Sequence, residues 1–224
     1  DGFQDVLVIA SRREIVAPRV DAVEEAGFKV ETVDVELYAM ERASELIVSQ
    51  LPAQGVNRTV AIIDIGRATT TLTVIKDWVV IYTREETFGG QHITESLQQT
   101  YNISFAQAEK LKVDRQLPGV SSLDEGEVST LIYEEILPHI RRQLQFFFAA
   151  YESESIAHLV LSGGSALNKG LTQFLESQLS ISVSMANPFE QMRFASAVKQ
   201  PALLREAPRM VISCGLAMRG LSHA

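Results

Sequence analysis

One apolar segment that ends in a carboxylate, Thr59-Val60-Ala61-Ile62-Ile63-Asp64, constrains the fold of this chain more than any other feature. Its uninterrupted apolar character, rich in β-branched residues, predicts a strand that is buried on both faces. Gly66 and a run of threonines, Thr69 to Thr71, follow directly. The sequence therefore predicts a buried strand that delivers Asp64 to a hairpin containing glycine and hydroxyl groups.

The segments around this strand predict an α/β fold, because strands and helices alternate along the chain. Before it, the pattern predicts strands at 6–10 and 29–35 and helices at 13–25 and 38–48. After it, strands are predicted at 70–75 and 78–83, with a turn at Lys76-Asp77, and then at 158–162 and 181–185. Helices are predicted at 90–101, 105–112, 127–152, 169–179 and after Pro208. The run Phe146 to Phe148 is expected to be mostly buried.

The residues from Asp64 to Thr71 form a candidate phosphate site. Gly66 permits close approach of a phosphate to the backbone, and backbone N–H groups and threonine hydroxyls are neutral donors. Asp64 is suited to orient a hydrated Mg²⁺, since this ion keeps several waters and takes few carboxylates. An ordinary β-hairpin with a glycine turn and surface threonines explains the same pattern.

A second candidate lies far downstream, where a predicted strand ends in Ser162 and the turn Gly163-Gly164-Ser165-Ala166 leads into a helix. Bare backbone followed by a helix N-terminus can pack against a nucleotide. A tight strand-to-helix turn of the kind found in any α/β fold is the alternative. We expect this turn and the Gly66 turn to meet at one cleft.

Charge and cysteine content disfavour several classes of function. The chain has 20 Lys and Arg against 28 Asp and Glu, a formal charge of −8. Nucleic acids and anionic lipid surfaces are therefore poor direct partners. The single cysteine, Cys214, permits no disulfide within the chain, which fits a reducing compartment. No apolar run is long enough to span a bilayer, so we expect a cytoplasmic protein that, if it works at a membrane, is held there by a partner.

Taken together, the two glycine turns resemble the actin-like ATPase superfamily, which includes actin, heat-shock chaperone ATPases, sugar kinases and FtsA. The resemblance implies an α/β, actin-like (ribonuclease H-like) fold that binds ATP and Mg²⁺, with an incomplete first lobe and most of the second. It assigns Asp64 to the metal. The residues it assigns to the nucleotide are Asp64, Gly66, Thr69 and Thr70 on the phosphate side, Gly163, Gly164, Ser165 and Ala166 on the nucleoside side, and Gly89 and Gly90.

Three further residues match the superfamily less specifically. Glu109 and Lys112 stand where family members hold adenosine with a Glu and a Lys, although a solvated helix face explains them equally well. Glu36 resembles the residue that positions an attacking water, which would make it the catalytic group. A carboxylate stabilised by the dipole at a helix N-terminus is the alternative for Glu36.

A narrower resemblance is to the PilM family of type IV pilus proteins. It implies a scaffold of the inner-membrane alignment complex that binds ATP with at most weak hydrolysis and holds the N-terminal tail of PilN. It also implies links to other inner-membrane and motor proteins, and it allows self-association. The stretches that carry it are Val33-Asp34-Val35-Glu36 with Ala39 and Glu41-Arg42-Ala43, Tyr82-Thr83-Arg84-Glu85 before Phe88-Gly89-Gly90, Leu144 to Phe148, Ala186-Asn187-Pro188-Phe189, and Cys214 to Arg219.

The resemblance also implies a division of the chain. Residues 1–50 are expected to end an inserted small subdomain and return into the first lobe. Residues 51–208 would form the second lobe, with a helical insertion at 99–155, and residues 209–224 a C-terminal helix packed toward the first lobe. The superfamily has two Asp/Gly hairpins, so we expect the other to precede Asp1. Arg67 is a departure from the superfamily pattern, and it could either pair with a phosphate or crowd the site.

Two other functions fit the same superfamily. A phosphotransferase or sugar kinase needs a base beside its substrate hydroxyl, and apart from Glu36 no acidic residue is placed by motif for that task. An FtsA-like membrane-tethered cell-division protein would need a basic amphipathic tail, and residues 220–224 do not have that character.

Overall fold

The computed structural model describes residues 6, 8–116 and 124–221, which fall into two compact units that divide after Glu36. In the first unit, α1 (Arg13–Glu25) has no buried residue and contains Pro18. Gly27 follows the helix with a φ of +85°, a conformation that glycine adopts without strain. The predicted helix at 13–25 is confirmed, whereas the predicted lobe boundary at residue 50 stays a prediction.

Two predicted strands of this unit are wrong. Val6 and residues 8–10 lie outside any strand, as do residues 29–35, and Leu7 is outside the described residues. A segment forms a strand only if a neighbouring segment pairs with its backbone groups. Within the described part of this unit no segment does so, since the described strands all lie beyond residue 58.

The second unit is built on a five-stranded sheet in the order β3-β2-β1-β4-β5. The strands are β1 (Thr59–Ile65), β2 (Thr70–Lys76), β3 (Val79–Glu86), β4 (Ile156–Ser162) and β5 (Ser182–Met185). β1 pairs antiparallel with β2, and β2 with β3, whereas β4 and β5 run parallel to β1. The predicted strands of this unit are confirmed, with small shifts at their ends.

Helices cover both faces of the sheet. They are α2 (Glu36–Val48), α3 (Gly90–Tyr101), α4 (Phe105–Asp114), α5 (Glu125–Ala150), α6 (Leu171–Leu179), α7 (Gln200–Arg205) and α8 (Val211–Leu221). Short 3₁₀ turns span Pro52–Gly55, Gly164–Leu167 and Ala207–Met210. Sequence reasoning missed α7 and found the others. Within the described residues, none of the helices is both long enough and apolar enough to cross a membrane.

The uniform apolarity of β1 follows from this layering. Ala61, Ile63 and Ile65 face a core shared with α3, α4, α5 and α6, while Val60 and Ile62 face a second core shared with α2 and α8. Because successive side chains of a strand point to opposite faces, a strand that is apolar at every position needs helices on both sides.

The expectation for the phenylalanine run in α5 is only partly right. Phe147 is fully buried, whereas Phe146 is 45% and Phe148 37% exposed. Successive residues of a helix point about 100° apart, so only one of three can face the core. The guanidinium of Arg84 lies 3.7 Å from the centre of the Phe146 ring and covers part of its exposed face.

The hairpin between β2 and β3 turns one residue later than predicted. Lys76 pairs with Val79, which leaves Asp77 and Trp78 as a two-residue loop with φ of +49° and +70°. Positive φ at both positions is the requirement of a type I′ turn, whose twist matches that of the flanking strands.

Helix α8 packs closely against α2 at Gly215. Arg42 Nε donates a hydrogen bond of 3.0 Å to the Gly215 carbonyl. A Cβ atom at position 215 would lie 2.5 Å from the carbonyl carbon of Ala39, so only glycine allows this approach. The contact joins two of the sequence stretches that carry the family resemblance.

Candidate functional site

The two glycine turns meet because β1 and β4 are parallel neighbours. Asp64 stands opposite Ser162 in the pairing, so both strands end at the same edge of the sheet. The Ser162 hydroxyl donates a hydrogen bond of 2.7 Å to Asp64 Oδ1 across the two strand ends. Ligands of α/β folds bind beyond the carboxyl ends of such strands. The expectation that the two turns form one cleft is confirmed.

Gly163 lets the second turn press against the end of β1. It has φ +85° and ψ 173°, and a Cβ atom there would lie 2.7 Å from the carbonyl carbon of Ile65. Its N–H donates a hydrogen bond of 2.9 Å to the Pro208 carbonyl. No other residue type combines this conformation with so little volume, so Gly163 fixes how closely the two turns approach.

A cavity of about 490 Å³ lies between the two turns. This volume is in the range of sites that hold small molecules. Residues from α3, α4 and the 3₁₀ turn Ala207–Met210 complete its walls. Its lining consists of Gly66, Arg67, Gly90, Gln91, Phe105, Glu109, Lys112, Val113, Gly164, Ser165, Leu167, Asn168, Glu206 and Arg209.

The N-terminus of α3 holds the first turn in place. Gly90 N–H donates to the Gly66 carbonyl at 2.9 Å, and Gln91 N–H donates to the Arg67 carbonyl at 2.8 Å. A Cβ atom at Gly89 would lie 2.6 Å from the Arg67 carbonyl oxygen. These first-turn donors of α3 are therefore used to fix the hairpin loop and are not available to a bound anion.

The hairpin loop itself keeps donors for a ligand. Gly66 N–H is bonded to the Thr69 carbonyl at 2.9 Å, but the N–H groups of Arg67, Ala68 and Thr69 donate to no acceptor among the described residues. Successive N–H groups in a tight turn form a concavity that binds anions. This supports the interpretation of the loop as a phosphate site, and that role stays a prediction.

Asp64 lies behind this loop with one oxygen directed toward it. A Cβ atom at Gly66 would be 3.8 Å from Asp64 Oδ2, while Oδ1 accepts the Ser162 bond. Burial raises the pKa of Asp64 above its ordinary value, and the hydrogen bond from Ser162 partly offsets this. No cluster of three or more His, Cys, Asp or Glu ligands occurs in the described part of the chain. A single carboxylate beside free N–H donors fits Mg²⁺ carried by a phosphate.

Lys112 joins α4 to the first turn of α3. Its ammonium donates to the Gly90 carbonyl at 2.9 Å, to Thr94 Oγ1 at 2.6 Å and to Glu109 Oε1 at 2.7 Å. Burial raises the pKa of Glu109, but the bonds from Lys112 and Thr94, with the positive charge of Arg67, hold it below its ordinary value. Both predicted residues line the cavity, and the three donors of Lys112 are already used.

The far wall contains residues that sequence reasoning missed. The Arg209 guanidinium lies over Gly164, where a Cβ atom would be 3.3 Å from its Nε, and pairs with Glu206 at 2.7 Å. Asn168 Nδ2 donates to the Ser165 carbonyl at 2.7 Å. Glu206 and Arg209 belong to no recognisable motif, so only the folded chain shows that they reach the cavity.

The predicted site residues fall into two groups. Those that line the cavity are Gly66, Gly90, Glu109, Lys112, Gly164 and Ser165. The others support the cavity or lie elsewhere. Asp64 lies behind the hairpin loop, bonded to Ser162, and Gly89 and Gly163 permit close approach of the backbone. The buried Thr70 hydroxyl donates to the Phe88 carbonyl at 2.8 Å, the Thr69 carbonyl closes the hairpin, and Ala166 is fully buried in the core. Glu36 is the first residue of α2. Their assignments as ligand-binding or catalytic residues stay predictions.

Comparison with known proteins decides the family. A family model described as type IV pilus assembly protein PilM matches residues 2–221. The chain belongs to the PilM family. Its membership agrees with the resemblance inferred from the sequence stretches above.

Similarity to solved structures shows that this chain has the actin-like fold. A PilM–PilN type IV pilus biogenesis complex matches with a TM-score of 0.76 and 24% identity over 94% of this chain. MreB5 of Spiroplasma citri bound to AMPPNP matches with a TM-score of 0.58 and 14% identity over 96% of this chain. The predicted fold class is confirmed, and at these identities the likeness concerns the fold alone.

The superfamily is functionally diverse, and this chain spans only part of its relatives. Ethanolamine utilization protein EutJ of Escherichia coli (strain K12) is 28% identical over 120 residues, which is 52% of this chain and 37% of that protein. The chain covers 59% of the PilM structure and 66% of the MreB5 structure. Fold and family are therefore established here, whereas activity and partners have to be argued separately.

Proposed function

We propose that this protein is a cytoplasmic, actin-like, ATP-binding scaffold of the type IV pilus inner-membrane complex. The observation that carries the proposal is the match of the PilM family model to residues 2–221. The cavity between the Gly66 and Gly164 turns supports it, because the residues assigned to a nucleotide from sequence alone supply six of its lining residues. Assembly of pili and twitching motility would be the cellular processes that depend on it.

ATP with Mg²⁺ is the proposed ligand of the cavity. The free N–H groups of residues 67–69 would hold the phosphates, Asp64 would orient the hydrated metal, and the turn at Gly164 would pack against the nucleoside. Structures of the related fold are described as bound to AMPPNP and to ADP. Bound ATP would stabilise the folded state by mass action, and the role of the ligand is proposed to be regulatory or structural.

Partners would bring the protein to the membrane. We propose the N-terminal cytoplasmic tail of PilN as one partner, because the chain is similar in fold to the PilM subunit of a PilM–PilN complex. The first unit exposes apolar side chains, among them Val6, Val8 and Phe28, which are 73%, 78% and 69% exposed. Contiguous apolar patches mark surfaces that bind another protein, and these side chains are our candidates for such a surface. Links to motor proteins belong to the same proposal.

A pull-down with a synthetic PilN tail peptide tests the partner. The wild-type protein should retain the peptide, and Val8→Asp should weaken retention, since it places a charge among the exposed apolar side chains of the first unit. Val79→Asp is the matched control, because Val79 is 61% exposed on β3 of the second unit. Failure of the wild-type protein to bind the tail, or equal losses in the two variants, would contradict the proposed surface.

A further inference from the structure

Three cationic side chains line the cavity, Arg67, Lys112 and Arg209, against two carboxylates, Glu109 and Glu206. The cavity lining therefore carries a net positive formal charge in a chain whose overall charge is −8. An anion is the ligand that this distribution favours. The three cations differ in how much of their hydrogen-bonding capacity is still available to such a ligand.

Lys112 and Arg209 are already engaged. The ammonium of Lys112 has three donors, and they go to Gly90, Thr94 and Glu109. Arg209 forms an ion pair with Glu206 and lies over Gly164, on the nucleoside side of the cavity. Either side chain would have to break protein bonds to contact a phosphate in the hairpin loop.

Arg67 is held much less firmly. It is exposed, its Nε donates a hydrogen bond of 3.4 Å to Gln91 Oε1, and its positive charge attracts the Glu109 carboxylate. Its hydrogen-bond partner is a neutral amide, which is itself oriented by a bond of 2.9 Å from Gln91 Nε2 to Glu95. Arg67 also belongs to the loop whose N–H groups at residues 67–69 have no acceptor in the described part of the chain. Arg67 is therefore a cation that can turn toward an anion bound by these N–H groups.

We propose that Arg67 contacts the terminal phosphates of the bound nucleotide and makes the site selective for a polyphosphate over a nucleoside. The inference rests on the proposed function, because it assumes that the cavity binds a nucleotide. The planar guanidinium can donate two parallel, charge-assisted hydrogen bonds to phosphate oxygens, which adds a positive charge that the backbone N–H groups of the loop do not carry. In this proposal the backbone N–H groups of the turn bind phosphate, and Arg67 determines the specificity for a polyphosphate.

Titration calorimetry with ATP, ADP and adenosine tests this role. Arg67→Ala should bind Mg-ATP about tenfold more weakly, the loss of a charge-assisted hydrogen bond, and should bind adenosine as the wild-type protein does. The dependence of ATP affinity on salt concentration should become weaker in Arg67→Ala. Arg58→Ala is the matched control, since it removes an exposed arginine of the same unit that does not line the cavity.

The possible outcomes separate this inference from the proposed function. Equal ATP affinities of the wild-type protein and Arg67→Ala would overturn the role of Arg67 while leaving the nucleotide site intact. Tighter ATP binding by Arg67→Ala would also overturn it and would show that the side chain crowds the cavity. A wild-type protein that binds none of the three ligands would refute the proposed function as well. Because Arg67 is exposed, the thermal midpoint of the variant should match that of the wild-type protein.

Discussion

Replacing Gly163 by alanine tests how closely the two turns approach each other. The backbone at Gly163, with φ +85° and ψ 173°, lies in a region that is nearly restricted to glycine, and an alanine there costs about 1–3 kcal/mol. The added Cβ atom would lie 2.7 Å from the carbonyl carbon of Ile65, and overpacking of this kind costs about another 1–3 kcal/mol. We therefore expect a loss of about 2–6 kcal/mol in the free energy of unfolding.

Urea denaturation followed by circular dichroism measures this loss, and each kcal/mol should lower Tm by about 2–4 °C in a chain of this size. Gly170, with φ +82°, is a control within the same unit, but a Cβ atom there would meet the Tyr133 hydroxyl at 2.5 Å. Gly170→Ala should therefore be compared in a Tyr133→Phe background, where we expect a cost of about 1 kcal/mol from backbone strain alone. If Gly163→Ala costs no more than this control, the close approach to Ile65 does not constrain the turn.

Three further predictions concern other parts of the second unit. Gly215→Ala should lower the free energy of unfolding by about 2–4 kcal/mol, because the added Cβ atom overlaps the Ala39 carbonyl. Gly220→Ala is the control in the same helix, and it should be neutral or stabilising because a Cβ atom there meets open space. Thermal melts of the two variants test the difference. Asp64→Asn should bind Mg-ATP more weakly in calorimetry yet be more stable than the wild-type protein at pH 7 in urea titrations. Burial raises the folded-state pKa of Asp64, so the wild-type protein loses stability as the pH rises through that pKa, and the difference should vanish below about pH 4. Lys112→Met should lower the unfolding free energy by about 1–3 kcal/mol, since it removes three hydrogen bonds and the cation paired with Glu109; no change in the denaturation midpoint would contradict this.

The sheet and most helices could be predicted because local patterns determine them. The apolar run of β1 and the alternation of strands and helices specify a covered sheet without knowledge of any distant contact. Ser104 likewise identifies the start of α4, where its hydroxyl accepts a hydrogen bond from Gln107 N–H at 3.3 Å. The two strands predicted in the first unit failed for the opposite reason, since pairing depends on partner segments that the local pattern does not reveal.

The residues of the candidate site likewise divide into those that a local pattern predicts and those that only distant contacts bring to the cavity. Gly66 and Gly164 were found because glycine after a buried strand marks a turn that a ligand can approach. Glu206 and Arg209 were missed because they reach the cavity only through packing of the 3₁₀ turn Ala207–Met210 on β4, where Pro208 accepts a hydrogen bond from Gly163. No spacing in the sequence signals that contact.

Thr70 shows the limit of assigning roles by residue type. A hydroxyl in the hairpin was expected to face a phosphate, yet Thr70 is buried and donates to the Phe88 carbonyl. Because side chains alternate along a strand, the first residue of β2 points into the core whatever its chemistry. Its hydrogen bond instead holds the segment that leads into α3.

A crystal structure of the protein grown with Mg²⁺ and a non-hydrolysable ATP analogue would test the central claim most directly. We expect electron density for phosphates against the N–H groups of residues 67–69, for the metal near Asp64, and for the nucleoside against Gly164 and Ser165. Density for the analogue at another surface, or a cavity free of nucleotide at a concentration that saturates binding in solution, would contradict the assignment of this cavity.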